Sequence, residues 1–88
     1  SYEGIYYNSG YGFMKIVSQD DKLYMKYRDM FLLIKPYWSG NFRVDNVKED
    51  ILTMSIPLNF ICNEEQKSIG LRIRFEPLID DIVFFKKN

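Results

Sequence analysis

Apolar and polar residues alternate at period two in two stretches of this chain, the spacing that gives a β-strand its two faces. In Lys22–Arg28, Leu23, Met25 and Tyr27 oppose Tyr24, Lys26 and Arg28; in Ile69–Glu76, Ile69, Leu71, Ile73 and Phe75 oppose Gly70, Arg72, Arg74 and Glu76. Each stretch predicts a strand with one wet face. Further strands are predicted over Glu3–Tyr7, Tyr11–Ser18, Met30–Pro36, Asn41–Val44, Ile56–Asn63 and Asp81–Lys86, each bounded by turn-forming residues. The connections Asn8-Ser9-Gly10, Gln19-Asp20-Asp21, Arg28-Asp29, Ser39-Gly40 and Asn63-Glu64-Glu65-Gln66 are polar or glycine-bearing and of hairpin length, so consecutive strands pair antiparallel. Pro36, Pro57 and Pro77 fall at or near strand ends, where a missing donor costs little. Between Asp45 and Ser55 the spacing of Val47, Ile51, Leu52 and Met54 fits neither period. It reads as a loop or single helical turn over Val47–Asp50, with Leu52 onward leading into the next strand.

Eight short antiparallel strands, each with one apolar face, close their core as a sandwich or a barrel. Eight is also the strand number at which a barrel interior is just wide enough to be filled by side chains or to hold one small ligand. The expected fold is therefore all-β, a small eight-stranded antiparallel up-and-down barrel over residues 1–88, with a small cavity or none. Tyr2 to Gly12 and Glu76 to Phe84 both read as strands, which predicts that the two ends of the chain meet to close the sheet.

Composition supports this class. The 88 residues include no alanine and no histidine but ten Ile, seven Tyr and seven Phe, a mixture suited to a pleated, half-buried surface. Twelve basic residues balance twelve acidic ones, so there is no net field of the kind that gathers nucleic acid or an anionic membrane, and no polyanion partner is expected. Cys62 is alone, which excludes an internal disulfide and a multi-cysteine metal site; it reads as a small core hydrophobe. The longest apolar run, Met30 to Ile34, is far short of the roughly 20 residues of a helical membrane span, so no span is expected.

The opening Tyr2-x-Gly4-x-Tyr6 with Gly10-Tyr11-Gly12, the hairpin Asp21-Lys22-Leu23-Tyr24-x-Lys26-Tyr27 and the closing Glu76-Pro77-x-x-x-Asp81-Ile82-Val83-Phe84 come in one order along the chain. Together they resemble the uncharacterised C-terminal domain that follows the catalytic domain of beta-lactamase-related serine hydrolases, the penicillin-binding-protein and esterase-like group. The resemblance covers nearly the whole chain. It implies a lipocalin-like barrel, an N-terminal catalytic domain of the same polypeptide as partner, a bacterial source and a periplasmic or secreted setting. It carries over no catalytic or binding residue. A strand so close behind Ser1 agrees with a segment cut from a longer polypeptide. Where that family's hairpin carries Asp-Gly, this chain has Asp20-Asp21, which predicts a change of backbone type in the turn.

Chemistry of its own is not expected. Three residues after Ser1, Ser9, Ser18, Ser39, Ser55 and Ser68 stand Gly4, Gly12, Asp21, Phe42, Leu58 and Leu71, so the serine-x-x-lysine step of such hydrolases is missing. Tyr6-Tyr7-Asn8 matches their tyrosine-x-asparagine pattern, a cheap match in a tyrosine-rich chain. Without histidine the most usual general base and metal ligand are both missing. Asp80 and Asp81 are adjacent, so a strand sends them to opposite faces, and Asp20-Asp21 and Glu64-Glu65 read as solvated turns. No cofactor or metal is expected.

What remains is surface. Tyr37 and Trp38 follow Pro36 and precede the Ser39-Gly40 turn, a place where large rings project and suit contact with another surface. Arg72 and Arg74 lie opposite Leu71 and Ile73 and, with Arg43, form either a basic stripe or an outer surface paired with Glu76 or neighbouring acids. For Tyr2, Tyr6, Tyr7, Tyr11, Phe13, Tyr37, Trp38 and Phe42 as a group, core and rim packing is favoured over an aromatic contact patch. Tyr37, Trp38, Arg72 and Arg74 are thus the candidate interaction surface of an accessory domain that buttresses a catalytic domain, shapes access to its site or joins subunits into a homo-oligomer. The alternative is a lipocalin-like barrel holding a small apolar ligand.

Overall fold

A computed structural model describes the backbone of residues 1–37, 40–48, 51–75 and 80–87, and the side chains of these residues except 46–48 and 51–55. Eight strands follow one another: β1 (Gly4–Asn8), β2 (Gly12–Gln19), β3 (Lys22–Tyr27), β4 (Met30–Pro36), β5 (Phe42–Lys48), β6 (Ile51–Cys62), β7 (Ser68–Ile73) and β8 (Ile82–Lys87). Each pairs antiparallel with the next, and β8 returns to β1, so the sheet is a closed barrel in sequence order. The closing seam pairs Ile5 with Lys87, Tyr6 with Lys86 and Tyr7 with Phe85, so the two ends of the chain meet as their strand patterns predict. Closure leaves no sheet edge to attract another strand.

The inner face follows the alternation. Tyr6, Met14, Ile16, Met25, Tyr27, Leu32, Ile34, Val44, Ile56, Leu58, Leu71, Ile73 and Phe84 form one buried cluster. Aromatic groups stopper both ends. At the rim that carries the chain termini, Tyr2 stacks on Phe60 at 4.1 Å, and Phe42 meets both edge-on. At the distal rim, Tyr11 and Tyr27 stack on Phe75 at 5.4 and 5.9 Å, and Phe84 closes beneath them. A tyrosine anchors each group, Tyr6 donating its hydroxyl hydrogen to the Tyr2 carbonyl and Tyr27 to the Tyr11 carbonyl, both at 2.7 Å. Among the described residues no buried side-chain nitrogen or oxygen lacks a partner.

Two β-bulges account for the main departures from the sequence pattern. Between β5 and β6 the register passes from Asn46 opposite Met54 to Val47 opposite Leu52, so Thr53 is an extra residue and the ladder runs on to Lys48 and Ile51. Val47 and Lys48 therefore belong to a strand rather than to a loop or helical turn; residues 49–50 lie outside the described set. A bulge breaks period two at one point and restarts it on the other face, which is why the spacing of Val47, Ile51, Leu52 and Met54 looks ambiguous. Between β6 and β7 the register passes from Ile61 opposite Gly70 to Cys62 opposite Ser68, which makes Ile69 the extra residue. Ile69 is therefore exposed instead of sharing the face of Leu71, and Ser68 turns inward. Cys62 is exposed, not a core residue, because β6 ends on it at the rim beyond the inward Phe60.

The β2–β3 hairpin keeps the backbone that Asp-Gly would give. Gln19 pairs with Lys22, and both loop residues have positive φ, 54° at Asp20 and 65° at Asp21, the signature of a type I′ turn. The second aspartate thus adds strain to the turn rather than changing its type.

Candidate functional site

The rim that carries the termini also carries the β4–β5 corner, where Pro36 ends β4 and the Tyr37 amide donates to the Asn41 carbonyl at 2.7 Å. That bond closes the turn and leaves the Tyr37 ring 60% exposed. The Arg43 guanidinium lies 5.2 Å from the ring centroid, and Lys35 meets Asp45 at 3.0 Å. These four residues and Pro36 line an open cleft of about 430 Å³. Lys35 and Pro36 also border a second cleft of about 360 Å³, whose floor is Leu23, Leu33, Ile34 and Phe42. The corner is thus an amphipathic groove in which an exposed ring is covered by Arg43, with Lys35 directly opposite Arg43 across the β4–β5 ladder, a surface suited to another macromolecule. Trp38 lies outside the described residues.

Arg72 and Arg74 stand together on the outside of the next strands. Both reach the carboxylate of Asp81, at 3.9 and 3.3 Å, so an acid-paired outer surface rather than a bare basic stripe describes this pair. Glu76, expected among their partners, lies outside the described residues. Arg43 pairs with Pro57, whose carbonyl accepts the Arg74 amide at 3.3 Å, so the register sets Arg43 and Arg74 on either side of one proline. Of the four candidate residues, the structure brings Arg72 and Arg74 together and places Tyr37 with Arg43.

Of the aromatic group, Tyr2, Tyr6, Tyr11 and Phe42 pack into the barrel or its rims. Phe13 points outward and Tyr7 lies beside it at 4.7 Å. The sequence reading overlooked Phe31 and Phe85, which are also outward. The signal was present: in Val83-Phe84-Phe85 period two sends the second phenylalanine away from the core once the first is placed in it.

One internal constellation calls for a chemical test. Ser68 Oγ lies 2.6 Å from Tyr6 Oη inside the barrel, and Lys86 Nζ stands 5.8 Å from the Tyr6 ring centroid. Ser68 and Lys86 border an open cleft of about 360 Å³ together with Asn63 and Lys67. A nucleophilic serine needs a neighbour that accepts its proton. Burial pushes the Tyr6 phenol above its ordinary 10.0, the Ser68 hydrogen bond acts the other way, and Cys62 and Tyr2 add to the rise. The Tyr6 proton is committed to the Tyr2 carbonyl, and Lys86 donates to the Ser1 carbonyl at 3.3 Å. The pair is a satisfied hydrogen-bond chain from Ser68 through Tyr6 to Tyr2.

Asn8, the other half of the Tyr-x-Asn match, also has a structural task. Its amide nitrogen donates to the Val83 carbonyl at 2.8 Å, and its oxygen accepts from the Gly10 and Tyr11 amides at 2.7 and 2.9 Å. It thereby caps the β1–β2 turn and ties β1 to β8. Among the described residues there is no group of three or more Asp, Glu or Cys arranged to hold a metal ion, and no helix long and apolar enough to cross a membrane. No protein-family model, no curated protein and no solved structure matches the chain.

Proposed function

We propose that the chain is a non-catalytic accessory domain of a beta-lactamase-like serine hydrolase, packing on the catalytic domain of the same polypeptide through the Tyr37 and Arg43 corner and the Arg72–Arg74 surface. The observation that carries the contact role is the Tyr37 ring, held exposed by a closed turn and covered on one side by a guanidinium. Tyrosine and arginine are both enriched among the few residues that carry most of the energy of protein–protein contacts. The family context comes from the order of the three sequence blocks. The buried Ser68–Tyr6 chain supports a structural role for the residues closest to catalytic chemistry, since the hydroxyl that would act as base is held protonated. A ligand-binding barrel is less well supported, because side chains fill the inner face and aromatic groups stopper both rims.

The test is to remove residues 2–86 from the encoded polypeptide and to label its reactive serine with a fluorophosphonate. The expected result is a hydrolase that still takes the label but has lower thermal stability, altered substrate range or a changed oligomeric state. A labelled enzyme unchanged in all three respects contradicts the proposal.

A further inference from the structure

The flank made by β8, β1, β2 and β3 lies across the barrel from β5 and carries a pattern that the accessory role does not use. One outward row runs Phe85, Tyr7, Phe13 over three paired strands. The adjacent row runs Lys87, Ile5, Lys15, Lys26 over four. Phe85 is 65% exposed, Phe13 62% and Ile5 44%, although each is large and apolar. Tyr24 and Phe31 extend the aromatic surface on β3 and β4.

Between the rims, the strand rows of this flank carry cations and no acid. Lys15, Lys22, Lys26 and Lys87 are exposed and, among the described residues, none is in an ion pair. The acids nearby stand at the rim: Glu3, whose carboxylate accepts the Ser18 amide at 3.0 Å, and Asp20 and Asp21 in the β2–β3 turn beside Lys22. Lys15 stands directly opposite Lys26, a like-charge cross-strand pair that costs stability. A neutral chain has therefore gathered lysines without acidic partners around exposed rings, one of them, Lys87, with its Nζ 5.2 Å from the Tyr7 ring centroid.

We infer that this flank docks on an anionic phospholipid surface, with Phe13, Phe85 and Ile5 entering the headgroup boundary and the surrounding lysines reaching lipid phosphates. Lysine stems lie along apolar surface while their ammonium groups stay in the polar layer, and anionic lipids attract such clusters. The packing of the rings favours lipid over single-stranded nucleic acid. Tyr7 leans on Phe13 at 4.7 Å, and Tyr24 stacks on Phe31 at 4.7 Å and 10°, so ring faces that would receive bases are taken up by one another. Ile5, at the centre of the lysine row, has no face to stack at all. A fluid apolar layer accepts all of these groups. The inference goes beyond the accessory role and stands on the opposite flank, so either can fail alone.

The test is co-sedimentation of the 88-residue chain with vesicles of phosphatidylcholine alone and of equimolar phosphatidylcholine and phosphatidylglycerol. Binding to the anionic vesicles only, weakened by salt, is expected. Phe13→Ser with Phe85→Ser, and separately Lys15→Glu with Lys26→Glu, are each expected to weaken it by more than about tenfold. Thermal melting checks that each variant folds; if the serine variant does not, the glutamate variant, which changes only exposed charges, carries the test. Failure to sediment with anionic vesicles, sedimentation unaffected by a folded variant, or tighter binding to oligodeoxythymidylate than to vesicles overturns the inference.

Discussion

The two flanks of this barrel share an inner face and differ in how they treat charge. On the β4 to β7 side, Lys35 meets Asp45, Arg72 and Arg74 share Asp81, and Arg43 covers Tyr37. On the β8 to β3 side, Lys15 faces Lys26 with no acid between them, and Phe13 and Phe85 stand in solvent. The inner alternation suffices to close the sheet on both sides, so the outer positions are free to be neutral and ordered or charged and unsatisfied. Exposed rings among lysines are groups that a lipid surface would complete on one flank, while the exposed Tyr37 ring is what a protein contact would cover on the other.

The strongest way to break the comparison is to damage what the flanks share. Gly70 lies at the β7–β8 pairing, and a Cβ there would come within 2.8 Å of the Phe84 carbonyl oxygen, a backbone atom that cannot swing aside. Gly70→Ala is expected to cost about 1–3 kcal/mol in urea unfolding, the range for overpacking. Wild-type stability in that variant would show that the β7–β8 pairing gives way easily.

Tyr6→Phe tests the core on the β1 side. It removes the hydrogen bond to Tyr2 and leaves Ser68 with only the Gly70 carbonyl at 3.5 Å, an expected loss of about 1–2 kcal/mol. Because burial raises the Tyr6 phenol above 10.0, the folded chain holds that proton more tightly than the unfolded one. Its contribution is complete below pH 10.0 and is lost as pH rises from there through the raised folded value. Melting temperatures taken above pH 10 should therefore fall less steeply in Tyr6→Phe than in wild type.

Three smaller substitutions sharpen the contrast between flanks by separating turn strain from charge. Asp21→Gly, which removes a side chain from a residue with φ of 65°, should stabilise the chain by about 0.5–1 kcal/mol. Lys15→Glu exchanges a like-charge cross-strand pair for an attractive one and should stabilise by about 0.5 kcal/mol. On the other flank, Asp81→Asn should destabilise by about the same amount, since its two arginine partners are largely solvated. Opposite signs in paired thermal melts support the contrast, and equal signs break it.

Much of this architecture was legible along the chain. Period two in Lys22–Arg28 identified the inner Met25 and Tyr27, and the strand-like ends identified the β1–β8 closure. The bulges were not legible, because an extra residue at Thr53 or Ile69 resets the alternation without any local marker, and only the neighbouring strand's register reveals it. Tyr37 was found from its turn, whereas its partner Arg43 required the β4–β5 register. Asp81 escaped as the shared partner of Arg72 and Arg74 because the three meet across a β7–β8 connection that the sequence leaves open. The lysine and phenylalanine rows were visible one strand at a time, but their alignment into one flank is a property of the closed sheet.

The claim that this barrel acts by contact and not by chemistry is tested most directly by assaying the isolated chain for ester and β-lactam hydrolysis beside its Ser68→Ala variant. The account predicts no turnover above background in either, since the Ser68 hydroxyl, the buried serine among the described residues, lies against a tyrosine held protonated. Turnover by the wild-type chain that disappears in Ser68→Ala would contradict it.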